Sequence, residues 1–283
     1  MFLQNPHAAD LSMQIEAWIA HSPAAQYGWV VDGCQLESGD WRWLRRHAPP
    51  FEPAYAEGPM EALGDAGILL WPGDARRQLW WPQWLARASG RPLLSLAEYR
   101  PTPPDSEFWH WLSQLDTEDG ACLVLRIADT HALANALPLL QVEQAAALAG
   151  RLARWGWIER DGSWTGVALP DAAPGPLPPR LTFSAEQFRQ LMRRAQPDML
   201  LPVLAHFDVA LPGLAPNRLH QQLQRLAATM DGYGIADTPS QALFVATAFE
   251  RGDDFHQAPE WQPYWRQTRA GQTWIRMQAT DER

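Results

Sequence analysis

YGWVVDGCQ, residues 27–35, decides how the chain is read. Residues 27–31 are aromatic and β-branched, the composition of a buried strand. The run stops at Asp-Gly, a pair that ends strands and turns the chain. Asp32, Cys34 and Gln35 then crowd together, either as chemistry or as a structural corner. An aspartate in such a turn bonds backbone amides two residues on, which accounts for Asp32 without catalysis. Cys34 is the best nucleophile candidate, because a histidine from elsewhere in the fold can activate a thiol. The competing reading packs Cys34 as a small apolar side chain where strand meets helix.

Outward from this corner, strands alternate with helices. Residues 10–21 place Leu11, Ile15, Trp18 and Ile19 at helical spacing, with Asp10 as a cap. GILLW (residues 67–71) is a second strand, and RPLLSLAEY (residues 91–99) contains a third. A helix from Asp74 carries Trp80, Trp81, Trp84 and Leu85; Pro82 either kinks it or marks a new first turn. Asp105 or Ser106 caps a helix with Phe108, Trp111, Leu112 and Leu115 on one face. ACLVLRIAD (residues 121–129) reads as the clearest buried strand, and Cys122 within it as a buried reduced thiol. Two helical stretches follow, at about 130–140 and 141–154. WGWIERDGSWTGVAL reads as a hairpin whose Asp161-Gly162 turn is type I′, putting Trp157 and Trp164 on one face.

PDAAPGPLPPR holds five prolines, a stiff linker composition. Everything after it reads as helical. Ser184 and Gln187 form a capping box, with Phe188, Leu191 and Met192 on one face and Pro197 closing that helix. Leu219, Leu223, Leu226 and Met230 form the next stripe. Thr238 starts a further capping box with Gln241, and that helix ends at Gly252. The expected architecture is an α/β N-terminal lobe (1–169) with a small mixed sheet and flanking helices. A proline-rich linker (170–181) and an all-α C-terminal lobe (182–283) follow.

Composition narrows the function. The net charge of −9 repels phosphate backbones, so nucleic acid is not an expected partner. All 23 basic residues are arginine, which removes the phosphate-loop lysine, the Schiff base and the Ser-Lys dyad. The N-terminus lacks a basic-then-apolar leader pattern, and no apolar run approaches a membrane span, so a cytoplasmic protein without a membrane partner is expected. The eight histidines and two cysteines match no metal-ligand spacing, and neither the dinucleotide fingerprint nor the nucleophile elbow occurs. No metal, cofactor or catalytic set is therefore expected.

Two polar features remain. Arg126, read as lying inside an apolar strand that Asp129 ends, needs a carboxylate partner, and Asp32 at another strand end can supply one. The pair is either a structural ion pair or a clamp for phosphate or carboxylate. If it is buried, removing one partner should cost about 3–5 kcal/mol. The chain also carries 16 tryptophans. Most lie on core arcs, but Trp109 stands off its helix's apolar face, Trp41 and Trp43 flank an arginine, and Trp261 and Trp265 sit four apart near the end; these five are candidates for an exposed interaction surface.

Several of these stretches fall in an order that resembles the adaptor, or effector-chaperone, family of bacterial type VI secretion. YGWVVDGCQ is similar to that family's strand ending in Asp-Gly-Ala-Gln, with Cys34 in the alanine place. EGPMEAL before GILLW carries its Gly-Pro at Gly58 and Pro59. LLSLAEY resembles its serine-bearing strand. LRIADTH resembles its Arg-x-x-Asp-Pro-Arg, keeping Arg126 and Asp129 but with Thr130 and His131 for Pro-Arg. LTFSAEQFRQLM and GIADTPSQALFVATAFERGDDF resemble its C-terminal part, so the likeness spans about residues 10–260. The resemblance implies a cytoplasmic, non-enzymatic protein that binds a toxin effector and helps load it onto the C-terminal end of the spike protein. A hydrolase or transferase using Cys34 is the alternative, and a general interaction domain for aromatic-rich peptides is a third reading.

Overall fold

β1 (Tyr27–Asp32) is hydrogen-bonded on both edges, which explains why its residues from Gly28 onward are buried. The computed structural model containing it describes residues 2–261. One compact unit holds residues 2–191, and residues 192–261 belong to a second. In the first, α1 (Leu11–Ala20) precedes β1, and α2 (Ser38–His47) and β2 (Glu52–Pro53) follow it. Then come β3 (Ile68–Pro72), α3 (Trp81–Ala88), β4 (Leu94–Tyr99), α4 (Ser106–Ser113), β5 (Gln114–Thr117) and β6 (Cys122–Val124). The unit continues with α5 (Thr130–Ala136), α6 (Val142–Ala149), β7 (Leu152–Ile158), β8 (Trp164–Ala168) and β9 (Leu181–Phe183).

Six strands form one sheet in the order β2-β3-β1-β4-β7-β8, and every pairing in it is antiparallel. β6, β5 and β9 form a separate mixed sheet in which β5 pairs β9 in parallel. This N-terminal unit is α/β, but its main sheet is larger than the small mixed sheet expected, and only the minor sheet is mixed. Side chains alternate across the main sheet, as the pleat requires. Trp29, Val31, Leu69, Trp71, Leu94 and Leu96 face one layer, packed with Leu11 and Ile15 of α1 and Trp84 of α3. Val30, Ile68, Ala97 and Trp155 face the other, against Phe108, Trp109, Leu133 and Leu148. Trp29, Trp71, Trp84, Trp109 and Trp155 are fully buried, so most of the aromatic excess is core.

The hairpin differs from expectation in one instructive way. Glu159 N–H donates to Ser163 O (2.8 Å) and Gly162 N–H to Glu159 O (2.9 Å), so three residues form the loop. Gly162, at φ +87°, occupies its left-handed position. Ile158 therefore pairs Trp164, one residue away from the type I′ register. That slip moves a strand's side chains to the other face: Trp157 joins one core layer and Trp164 packs against the other.

Other expectations are corrected as well. The run 121–129 is no buried strand: β6 has three residues, all exposed, because it is an edge strand of the minor sheet. Burial resumes only at Leu125, Ile127 and Ala128. Cys34 and Cys122 are exposed rather than packed. Residues 73–77 form a 3-10 turn, and Pro82 sits in the first turn of α3, where its missing N–H costs nothing. The second stretch expected as helix to 154 ends at Ala149, and β7 takes the rest.

Ser184 and Gln187 exchange both capping-box bonds (2.9 and 3.2 Å) before α7 (Ala185–His206). Pro197 does not close that helix; it and Pro202 lie inside it. A proline deletes one helical hydrogen bond and kinks rather than necessarily ends a helix. The boundary between the two units falls within α7. In the second unit, α8 (Pro216–Tyr233) buries Leu219, Leu223, Leu226 and Met230 and ends at Gly234 in the left-handed region. α9 (Thr238–Arg251) is capped by Asp237, whose carboxylate accepts from Ser240 N–H (3.0 Å), rather than by Thr238. Among the described residues of this unit there is no strand.

A β-carbon at Gly162 would lie 2.1 Å from the carbonyl oxygen of Pro6, in a backbone conformation that L side chains avoid. Gly162→Ala should therefore lower unfolding free energy by about 1–3 kcal/mol. Urea unfolding unchanged by the substitution would contradict this loop geometry.

Candidate functional site

The corner after β1 is tied to a stretch almost a hundred residues on. Asp32 Oδ1 accepts from Cys34 N–H at 3.1 Å, the turn expected of Asp-Gly. Asp32 Oδ2 accepts from Arg126 Nη2 at 2.6 Å and from Gln35 Nε2 at 3.2 Å. Gln35 Nε2 also reaches Pro92 O (3.2 Å) and Asp129 Oδ2 (3.1 Å). Asp129 caps α5, its Oδ1 accepting from His131 N–H (2.9 Å) and Ala132 N–H (3.4 Å). Thr130 N–H donates to Pro92 O at 2.8 Å. Arg91 completes the corner, donating through Nη1 to Gln35 O (3.1 Å) and to Asp40 Oδ2 (2.7 Å).

The electrostatics follow from two carboxylates sharing one guanidinium. The Asp32 side chain is 5% exposed and that of Arg126 47%. Arg126 thus follows β6 in a loop at the surface, not inside a buried strand as its apolar neighbours suggested. Burial opposes its charge, but Asp32 and Asp129 together hold its pKa above the usual range. Burial pushes Asp129 up to about 6; Arg126 pulls it down and Asp32 adds to the rise. Arg126 Nη2 meets both carboxylates, at 2.6 Å from Asp32 and 3.6 Å from Asp129, an ion-pair tie across the corner. The Cys34 thiol beside it is exposed, and among the described residues no imidazole is hydrogen-bonded to it.

The tryptophan candidates divide. Trp109 is fully buried against Phe108 and Trp155, because α4 packs on more than one side; it belongs to the core and not to a surface. Trp41 and Trp43 on α2 are half-buried, and each has an arginine over its ring, Arg45 at 5.8 Å and Arg87 at 5.3 Å. Trp261 is half-buried against Phe255, with ring centroids 5.2 Å apart. Trp265 lies outside the described residues.

Sequence reading missed a second buried tie. Glu98 of β4, 7% exposed, pairs with Arg154 of β7, directly opposite in register. Arg154 also donates to Trp18 O (2.9 Å) and Tyr27 Oη (2.8 Å), and lies 4.3 Å over the Trp18 ring. A charged residue at an inward position of each of two apolar strands was the available signal, but using it required their register.

Among the described residues no group of His, Cys, Asp and Glu is arranged to hold a metal ion, and no helix is long and apolar enough to cross a membrane. No family model, curated protein or solved structure matches the chain.

Two predictions follow from the corner. Because Arg126 is half-exposed, Asp32→Ala should destabilise by about 1–3 kcal/mol, less than a fully buried pair would give. Unfolding curves that superimpose would refute the tie. Folded Asp129 holds its proton up to a higher pH than the unfolded chain, so its contribution to stability grows as pH falls from about 7 to about 4. The melting temperature of wild type relative to Asp129→Asn should rise over that range; a constant or opposite difference would exclude the raised pKa.

Proposed function

We propose that this chain is an effector adaptor of a type VI secretion system. It binds a toxin effector in the cytoplasm and helps present it to the C-terminal end of the spike protein, without transforming either. One observation carries this reading. The side chains that match the family pattern from separate stretches, Asp32, Gln35, Arg126 and Asp129, meet in a single hydrogen-bonded corner. Residues that match a motif only by chance have no reason to converge. Thr130 departs from the pattern's proline, and its N–H bonds Pro92 O, a bond that a proline there would forgo. In this reading the second lobe is all-α, and the work is done by surface rather than by a reactive centre.

Co-expression with the effector and the spike-tip fragment encoded by adjacent genes tests the reading. Recovery of a complex with either, retained by Cys34→Ala, is the expected result. Capture of neither partner would reject it, and an enzymatic turnover lost in Cys34→Ala would replace it with the thiol chemistry.

A further inference from the structure

The outer face of α2 has a composition the fold itself does not need. Ser38, Trp41, Arg42, Arg45 and Arg46 fall at i, i+3, i+4, i+7 and i+8, a single stripe along the helix. Together they line one open cleft. Asp40 and Leu44, on the other side of the helix, supply its buried contacts. Arginines in the last turn complement the helix dipole, which accounts for Arg45 and Arg46. Dipole complementarity does not account for Arg42, a turn earlier, or for a half-buried indole beneath Arg45. Arg42 and Arg46 are exposed and neither forms an ion pair among the described residues. Arg45 lies over the Trp41 ring, and its ion pair with Asp65 is loose, at 3.6 Å with both side chains largely exposed, so a ligand carboxylate can displace it.

A second depression adjoins this stripe and shares Trp41 and Arg45 with it. It has a volume of about 380 Å³; Leu44, Phe51, Pro53 and Leu69 form its apolar wall, and Asp65, the loose partner of Arg45, lines it as well. Trp41 stands edge-on to Phe51 with centroids 5.6 Å apart, so the indole forms the partition between the basic cleft and the apolar cavity. A ligand that fills both must carry anionic groups next to a large apolar side chain.

We propose that this face docks an acidic segment of a partner protein, with one aliphatic or aromatic anchor in the cavity and carboxylates on Arg42, Arg45 and Arg46. Charge complementarity selects the occupant. The patch is a local positive feature on a chain of net charge −9. A short acidic segment feels chiefly the charges within about 8 Å, whereas an extended polyanion also meets the surrounding negative field. Guanidinium forks bind carboxylates through paired, charge-assisted bonds, and the adjacent apolar cavity has no use in holding a sugar-phosphate backbone. The proposal rests on the adaptor reading only for the partner's identity.

The probe is a fluorescein-labelled peptide of aspartate and glutamate around one phenylalanine, followed by anisotropy against the whole chain. Wild type should bind it, and Arg42→Glu/Arg46→Glu should weaken binding by about tenfold or more. Raising salt from about 50 to about 300 mM should weaken the wild-type complex and leave the variant little changed. Should the charge reversal lower the melting temperature, Arg42→Gln/Arg46→Gln gives the same comparison without introduced acids. No binding by wild type, equal binding by the variants, or equal binding of an oligothymidylate would overturn the proposal. The same variants in the co-expression experiment separate the two claims. Capture of both effector and spike fragment unaffected by the charge reversal sinks the patch and leaves the adaptor. Acidic-peptide binding without capture of effector or spike fragment sinks the adaptor and leaves the patch.

Discussion

The bond from Arg126 Nη2 to Asp32 Oδ2 fixes how the first unit is closed. β1 delivers Asp32 to the end of the main sheet, and the segment after β6 must return to that point before α5 can start. Asp129 both neighbours Arg126 and caps α5, so the same few residues set the path of the loop and the start of the helix. Gln35 bridges the two sides, and Arg91 ties the backbone after the turn to Asp40 of α2. The acid and the amide crowded after a strand are therefore explained by chain closure.

Around this corner the sheet supplies most of the cohesion. Both faces of β1 and β4 are covered, and large aromatic side chains fill both layers. Truncating one such tryptophan would cost about 3–5 kcal/mol, comparable with the whole margin of a typical domain. The two arginine ties differ in consequence. Arg154, 15% exposed, is locked among Glu98, Tyr27 and Trp18 and holds α1 to the sheet. Arg126 stands half in water beside the exposed Cys34, at the rim of the unit.

Much of this was legible because local signals agreed. Val30, Val31 and Trp29 between turn residues specify a strand in any context, and Leu219, Leu223, Leu226 and Met230 specify a helical stripe. The pairing of Asp32 with Arg126 was expected from a premise that failed, since the sequence reads Arg126 inside a buried strand and its side chain stands 47% exposed in a loop. What failed depended on non-local information. Asp161-Gly162 is compatible with both a two-residue and a three-residue loop, and only the packing of Trp157 and Trp164 on opposite faces distinguishes them. Residues 121–129 are apolar enough for a central strand, yet β6 is an exposed edge. Trp109 looked off-axis on a one-sided helix, but α4 is buried on more than one side. The α2 stripe was visible only as two tryptophans flanking an arginine; its helical geometry turns that into a face.

The corner closes the first unit by tying the segment after β6 to the end of β1. Hydrogen exchange read residue by residue in Arg126→Ala tests this most directly. The account predicts faster exchange at the Thr130, His131 and Ala132 amides and at Cys34, with the central strands β1 and β4 still protected. Unchanged protection at those four amides would contradict it.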